Sequence, residues 1–229
     1  MTSMAREFLA RSVSDTLGRR IVDETLAPGQ VMTLDELEEE FGVSRSVARE
    51  AVKLLESVQL VHSRRRVGIQ VREADQWDAM APRVIEWHLA GSRRFQELRW
   101  ISELRRGVEP SAAGLAASRA DDQQRAQLFA AVDAMADAAA GRDLRGFLRH
   151  DVDFHRTILE ASGNPLIASH QQVIDAVLAG RTRLLAFMPS SAVIDLHRRV
   201  ARAIADRDPG AAERWMRAVL AEAQGAMGA

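Results

Sequence analysis

Cysteine is missing from all 229 residues, which removes disulfides, thiolate metal sites and a cysteine nucleophile. An excess of either charge is missing too, because 31 Lys and Arg stand against 32 Asp and Glu for a formal net charge of -1. Bulk attraction to nucleic acid or to a membrane surface is therefore no argument, and partners must be read from local clusters. No window approaches the roughly 18 consecutive apolar residues of a membrane span. The opening MTSMAREFLARSVSD carries charges where an export signal would have its apolar core. The expectation is a cytoplasmic protein with no membrane partner. There is also no H-E-x-x-H helix, no Gly-rich phosphate loop and no internal repeat, so no side chain is nominated as catalytic.

What is present is helical periodicity punctuated by Gly, Pro and Asn. The length favours two domains, set at residues 7–74 and 75–229. A first helix is expected over 7–25, with Phe8, Val13, Leu17, Ile21 and Val22 near one face and Ala27, Pro28 and Gly29 as its stop. Thr33 and Glu36 then form a T-x-x-E capping box ahead of Leu34, Leu37 and Phe41, and Gly42 closes that helix. Ser44 is placed to cap a third helix reaching residue 57. On it Val47, Ala51, Leu54, Leu55 and Val58 share an arc nearly opposite Arg45, Arg49 and Lys53. The following LVHSRRRVGIQV alternates like a hairpin, Leu60 and Val61 going out and Val67, Ile69 and Val71 returning, with Arg64, Arg65, Arg66 and Gly68 at or beside its tip. These signals describe a winged helix-turn-helix.

Beyond residue 73 no further strand pattern occurs. Helices are expected at 76–90, 95–119, 123–140, 144–162, 165–188, 192–207 and 211–226, and the short breaks SGNP, MPSS and RDPG suit consecutive antiparallel neighbours. The fold class expected is mainly α: an N-terminal winged helix-turn-helix and a C-terminal all-α antiparallel bundle of about seven helices.

A helix with this basic stripe fits the major groove of B-DNA, its N-terminal residues toward the base edges. Arg45 is placed to read guanine with its planar fork, Ser44 and Ser46 to hold phosphates, and Lys53 to touch backbone. The Arg64 to Arg66 run would reach phosphates or a minor groove. The plainer alternative is a set of solvated surface arginines. Capping box, turn and stripe occurring together favour DNA. In the second half Asp151 and His155 are four apart and leave one helix in the same direction. With His197 from a later helix they would make an oxygen, nitrogen, nitrogen set suited to zinc, nickel or manganese. A lone D-x-x-x-H pair is also an ordinary structural hydrogen bond. Arg105 and Glu109, again four apart, suit either a carboxylate clamp or a surface ion pair worth roughly 0.2 to 0.5 kcal/mol. Trp77, Trp87, Trp100 and Trp215 are expected in core and interface packing, and His62, His88, His150 and His170 receive no role.

The stretch LAPGQVMTLDELEEEFGVSRSVAREAVKLLESVQLVHSRRRVGIQV resembles the DNA-binding domain of the GntR family of bacterial transcription regulators. The resemblance implies that Arg45, Ser46, Arg49 and the wing residue Gly68 contact an operator. Two positions depart from the family pattern. Asp35 stands where many relatives carry a DNA-contacting arginine, and Gln59 replaces the glycine that usually follows the recognition helix, where a positive φ costs a non-glycine residue free energy. Residues 76–229 resemble the all-helical effector domain of the FadR subfamily through ISELRRGVEPSAAGLAA, DVDFHRTILEASGNP and LHRRVARAIADRDPGAAERWMR. In such relatives an Asp and three His hold a divalent ion. Asp151, His155 and His197 match the first three, and Val219 occupies the fourth position, which implies a weakly held ion or an empty site. The Arg105 segment faces the effector cavity in relatives, and QWDAMAPRVIEWHLAG is similar to regulators of hexonate operons, those for galactonate or gluconate.

Together these readings predict a homodimeric repressor on a palindromic double-stranded operator, controlled by a small carboxylate, a sugar acid by resemblance. Two alternatives stand beside it. One is a metal-dependent hydrolase domain fused to a DNA-binding module, since Asp, His, His with an open position also suits a catalytic metal. The other is a sequence-neutral DNA binder.

Overall fold

The computed structural model describes residues 3–175 and 190–228, with side chains through residue 222. It divides into two units, Met1–Glu97 and Leu98–Ala229. The first holds α1 (Ser3–Val22), β1 (Val31–Met32), α2 (Leu34–Phe41), α3 (Arg45–Ser57), β2 (Val61–Arg64), β3 (Gly68–Val71), a 3-10 turn (Ala74–Gln76) and α4 (Pro82–Ala90). Helix α5 (Arg94–Arg119) begins at its end. The second unit continues with α6 (Asp122–Ala140), α7 (Leu144–Ala161), α8 (Pro165–Ala168), α9 (Ser191–Ala205) and α10 (Pro209–Gly228). The protein is mainly α, with one small sheet.

The start of α2 follows its capping chemistry. Thr33 accepts from the Glu36 amide and Glu36 accepts from the Thr33 amide, at 3.2 and 2.7 Å, so two otherwise orphaned N–H groups are satisfied reciprocally. Gly42 ends the helix in the left-handed region at φ 60°. Ser44 has the extended backbone of an N-cap, but its side chain makes no capping bond; its hydroxyl meets that of Ser46 at 3.1 Å. Helix α3 buries Val47, Ala48, Ala51, Val52 and Leu55. Of these, Ala48, Ala51, Val52 and Leu55 join Leu17 and Ile21 of α1 and Leu37 of α2 in one core. Phe8, expected on the inner face of α1, is 72% exposed, because the buried stripe starts only at Ala10.

The sheet order is β1-β3-β2, all antiparallel, with Val61 opposite Val71 and Arg64 opposite Gly68. The hairpin was expected; β1 was not, since two residues carry no alternation. Val67, expected in the returning strand, lies in the turn and is 50% exposed. Helix α4 belongs to the first unit, whereas the sequence placed the boundary at 74/75. Trp87 packs so close to Gly18 of α1 that a Cβ there would lie 2.5 Å from the indole, and its Nε1 donates to Asp15 at 2.9 Å. Only glycine allows that approach.

In the second unit α6 packs against α7, and α9 packs against both α6 and α10. Phe147, Phe154, Leu128, Met135 and Ile158 are fully or almost fully buried at its centre. Asp121 and Gln124 form a second capping box at the start of α6, and Asp143 caps α7 through the Gly146 amide. The helix expected at 165–188 stops after Ala168, turns at Ser169 and His170, and resumes over 171–175. The rest of that expectation lies outside the described residues. Trp215 packs beneath the Arg199 guanidinium at 4.6 Å, while Trp100 is 47% exposed instead of packed away.

Candidate functional site

A groove of about 520 Å³ runs between α3 and the hairpin. Arg45, Arg49 and Lys53 of α3 line it together with Arg64, Arg66 and Gly68 of the wing, while Ser44, Ser46 and Arg65 stand exposed outside the lining. The apolar back of α3 is anchored in the core, so its basic stripe has one direction left to point. Gly68 is required by the backbone: at φ 120° beside β1, a Cβ would lie 2.7 Å from the Met32 carbonyl oxygen. The wing is pinned to α3 by Glu56, which accepts from the Ser63 amide at 2.8 Å. Sequence reading missed that bond, as a glutamate on a helix gives no sign of a strand seven residues away.

The cations are not all unengaged. Arg45 donates through Nη1 to Asp35 and, at 3.1 Å, to Glu38, and its pKa is raised, first by the hydrogen bond with Asp35. Lys53 pairs with Glu50 at 2.9 Å. Gln59 adopts φ 62° at the end of α3, the strained conformation its glycine-like position demands. Its side-chain oxygen accepts from Arg72 at 3.3 Å, which ties the α3 exit to the outgoing end of β3.

In the second unit α7 turns Asp151 and His155 inward, and α9 turns His197 to meet them. The three offer ligand atoms that all lie within 4.8 Å of one another. His197 Nε2 stands 3.1 Å from Asp151 Oδ1 and His155 Nε2 stands 3.7 Å from it. His197 Nδ1 contacts the Val193 carbonyl at 2.8 Å. That bond places a proton on Nδ1 and leaves Nε2 turned toward Asp151. Nε2 is buried without a hydrogen-bond partner in the described structure. Two imidazole nitrogens and a carboxylate oxygen converging in a buried cluster are a donor set that suits a divalent ion, so the residues fit one. Val219 is a 3% exposed apolar core residue that offers no ligand atom.

Arg105 and Glu109 do not form the surface ion pair considered from their spacing. They are 7% and 2% exposed, and Glu109 accepts from Arg105 Nε at 2.5 Å. Glu109 also faces His155 Nδ1 at 2.6 Å, so the cluster runs Arg105, Glu109, His155, Asp151, His197. Burial alone would push the Glu109 carboxyl up, but Arg105 and then His155 outweigh it and lower it to about 2. Burial likewise opposes the charge on Asp151, yet the imidazoles of His155 and His197 hold it well below the ordinary range. His155 is raised because the Glu109 charge overcomes burial. The Glu109 contact with His155 joins α5 to α7 and has no signature in sequence spacing. Beside Arg105 lies a cavity of about 10 Å³ lined by Leu104, Val108, Leu159, His170, Val173 and Ile174. His170, given no role from sequence, lines it.

A winged helix-turn-helix with a cationic groove, joined to an all-helical domain, is the build of a DNA-binding regulator. Residues 9–71 match the family described as bacterial regulatory proteins, gntR family, and residues 101–222 match the FCD domain. The chain belongs to the GntR family of transcriptional regulators, in its FadR-like branch with an FCD domain. It is 32% identical over 153 residues to the galactonate operon transcriptional repressor of Escherichia coli, covering 66% of each chain. Over 218 residues, 94% of each chain, it is 28% identical to the Escherichia coli regulator YieP. With the repressor NanR of Cronobacter sakazakii it shares 29% over 232 residues, 95% of this chain and 84% of that one. Among solved structures it shares its fold with Streptococcus agalactiae GntR (TM-score 0.54, 24% identity, 94% and 99% covered). Escherichia coli McbR/YncC gives TM-score 0.55 at 19% identity, with 99% and 98% covered. Family and relatives are regulators, not enzymes, which sets aside the fused hydrolase.

Proposed function

We propose that the protein is a homodimeric repressor that holds a palindromic operator with two winged units and releases it when a small organic acid binds the helical domain. The observation that carries the effector half is the line of five ionisable groups, Arg105, Glu109, Asp151, His155 and His197, inside a helical core. A domain serving only as scaffold gains more from apolar side chains at such positions. The sugar-acid class is supported by the likeness to the galactonate and NanR repressors. The charge balance and the regulator family support a cytoplasmic setting, and no described helix is long and apolar enough to cross a membrane.

On this reading Asp151, His155 and His197 hold a divalent ion, zinc, nickel or manganese, with Glu109 behind His155. Such an ion would supply Lewis-acid positions for the oxygens of a carboxylate or hydroxyl group. Arg105 is the cation for the effector's carboxylate, which replaces Glu109 as its partner. The cavity beside it has room for about one water molecule, so effector entry must open it. The winged unit contributes Arg45, Ser46, Arg49 and Gly68 to the operator, with Ser44, Lys53 and Arg64 to Arg66 on its backbone. Effector binding changes DNA affinity only by its preference between two arrangements of the helical domain.

The test is a thermal-shift panel of hexonates and dicarboxylates on metal-loaded protein, followed by a salt-matched gel shift with each stabilising compound. The expected result is an acid that raises the melting temperature and releases the operator. If no organic acid does both, and wild-type protein carries no divalent ion, the effector assignment is wrong.

A further inference from the structure

Asp35 is the departure from the family pattern that the fold gives a use. The start of α2 is capped by Thr33 and Glu36, so the Asp35 carboxylate is not needed by the helix backbone. Its side chain is 81% exposed, lines the groove between α3 and the wing, and takes a hydrogen bond from Arg45. Glu38 accepts from the same nitrogen, Nη1. Among the described residues the other two donor groups of the guanidinium, Nε and Nη2, have no partner. Those two are a matched pair for the O6 and N7 acceptors of guanine. The second carboxylate in the groove, Glu56, is committed to the Ser63 amide. Asp35 is thus the acidic group presented to whatever enters beside Arg45.

A carboxylate in that position is selective in a way an arginine is not. It repels a phosphate, and it repels base edges rich in acceptors, such as guanine O6 and N7 or thymine O4. It accepts from the exocyclic amine of cytosine. We propose that Asp35 and Arg45 read the operator as one unit, Asp35 setting the Arg45 fork so that Nε and Nη2 address a guanine while its own carboxylate accepts from the amine of a neighbouring cytosine. Asp35 is then a specificity-determining residue. This rests on α3 being the recognition helix.

The experiment is selection of bound sequences from randomised duplexes at matched salt, with full-length wild type, Asp35→Ala, Asp35→Asn and Arg49→Ala, each checked by circular dichroism. Wild type is expected to return a symmetric motif containing a fixed G·C pair in each half-site. Asp35→Ala and Asp35→Asn keep the rest of that motif but lose discrimination at the cytosine position by roughly tenfold. Their total affinity does not fall, since a charge of the same sign as DNA has been removed. Arg49→Ala weakens binding without opening that position. If both Asp35 variants select the wild-type motif with equal sharpness, the pairwise reading is overturned and the recognition helix stands. Should wild type select no motif, the recognition-helix assignment fails and this inference falls with it.

Discussion

Single side chains in this protein differ in what their removal exposes. Arg49 is solvated and lines the groove, so Arg49→Ala should leave the fold intact and weaken operator binding by about 1 to 3 kcal/mol in a salt-matched gel shift. His155 is buried between two carboxylates. Elemental analysis of protein purified without chelator should find divalent ion in wild type and less in His155→Ala, and equal content in both would remove His155 from the ligand set. Glu97 is a different case. Burial raises its carboxyl from 4.5 to about 7, so the folded protein keeps that proton after the unfolded chain has released it. Its contribution is full below 4.5 and is lost as pH rises through about 7. His88, 3.8 Å away, acts oppositely: burial lowers its pKa, so acid removes stability through it. The difference in melting temperature between wild type and Glu97→Gln isolates the carboxyl, and it should change steadily between pH 4.5 and 7.

Elements were legible where a local rule fixes them. The α2 boundaries could be read because Thr33, Glu36 and Gly42 satisfy chain ends with their own atoms, and α3 because its apolar and basic arcs oppose each other. Strand β1 could not, because its two residues are held only by β3, whose partner residues lie 37 and more positions away. Asp151, His155 and His197 were recognisable as a set through spacing and resemblance. The partnership of Glu109 with His155 was not, since it depends on how α5 meets α7. The packing of α4 was not legible either, for the same reason: nothing in WHLAG announces that Trp87 will close on Gly18. That contact makes α4 part of the winged unit's core. Trp87→Ala should therefore destabilise that unit by about 3 to 5 kcal/mol in urea unfolding, without touching the groove.

At the scale of the whole molecule, a near-neutral chain presents a local basic groove beside an acidic α2, whose sequence LDELEEEF holds five carboxylates. Attraction to any duplex is thereby kept small, and on the proposed dimeric reading the operator is held by two half-sites at once. Light scattering should give twice the 25.3 kDa chain mass, and a duplex carrying one half-site should bind far more weakly than the palindrome. Equal binding to both would deny the dimeric arrangement.

The distribution of tryptophan gives the molecule its own optical reporters. There is no tyrosine in the chain, so ultraviolet emission comes from four indoles. Trp77 and Trp87 belong to the winged unit, Trp100 and Trp215 to the helical one. Trp87, sealed in the core, should emit to the blue and resist iodide, whereas half-exposed Trp100 should emit to the red and be quenched. Melting of each half can be followed by its own colour, with no dye attached.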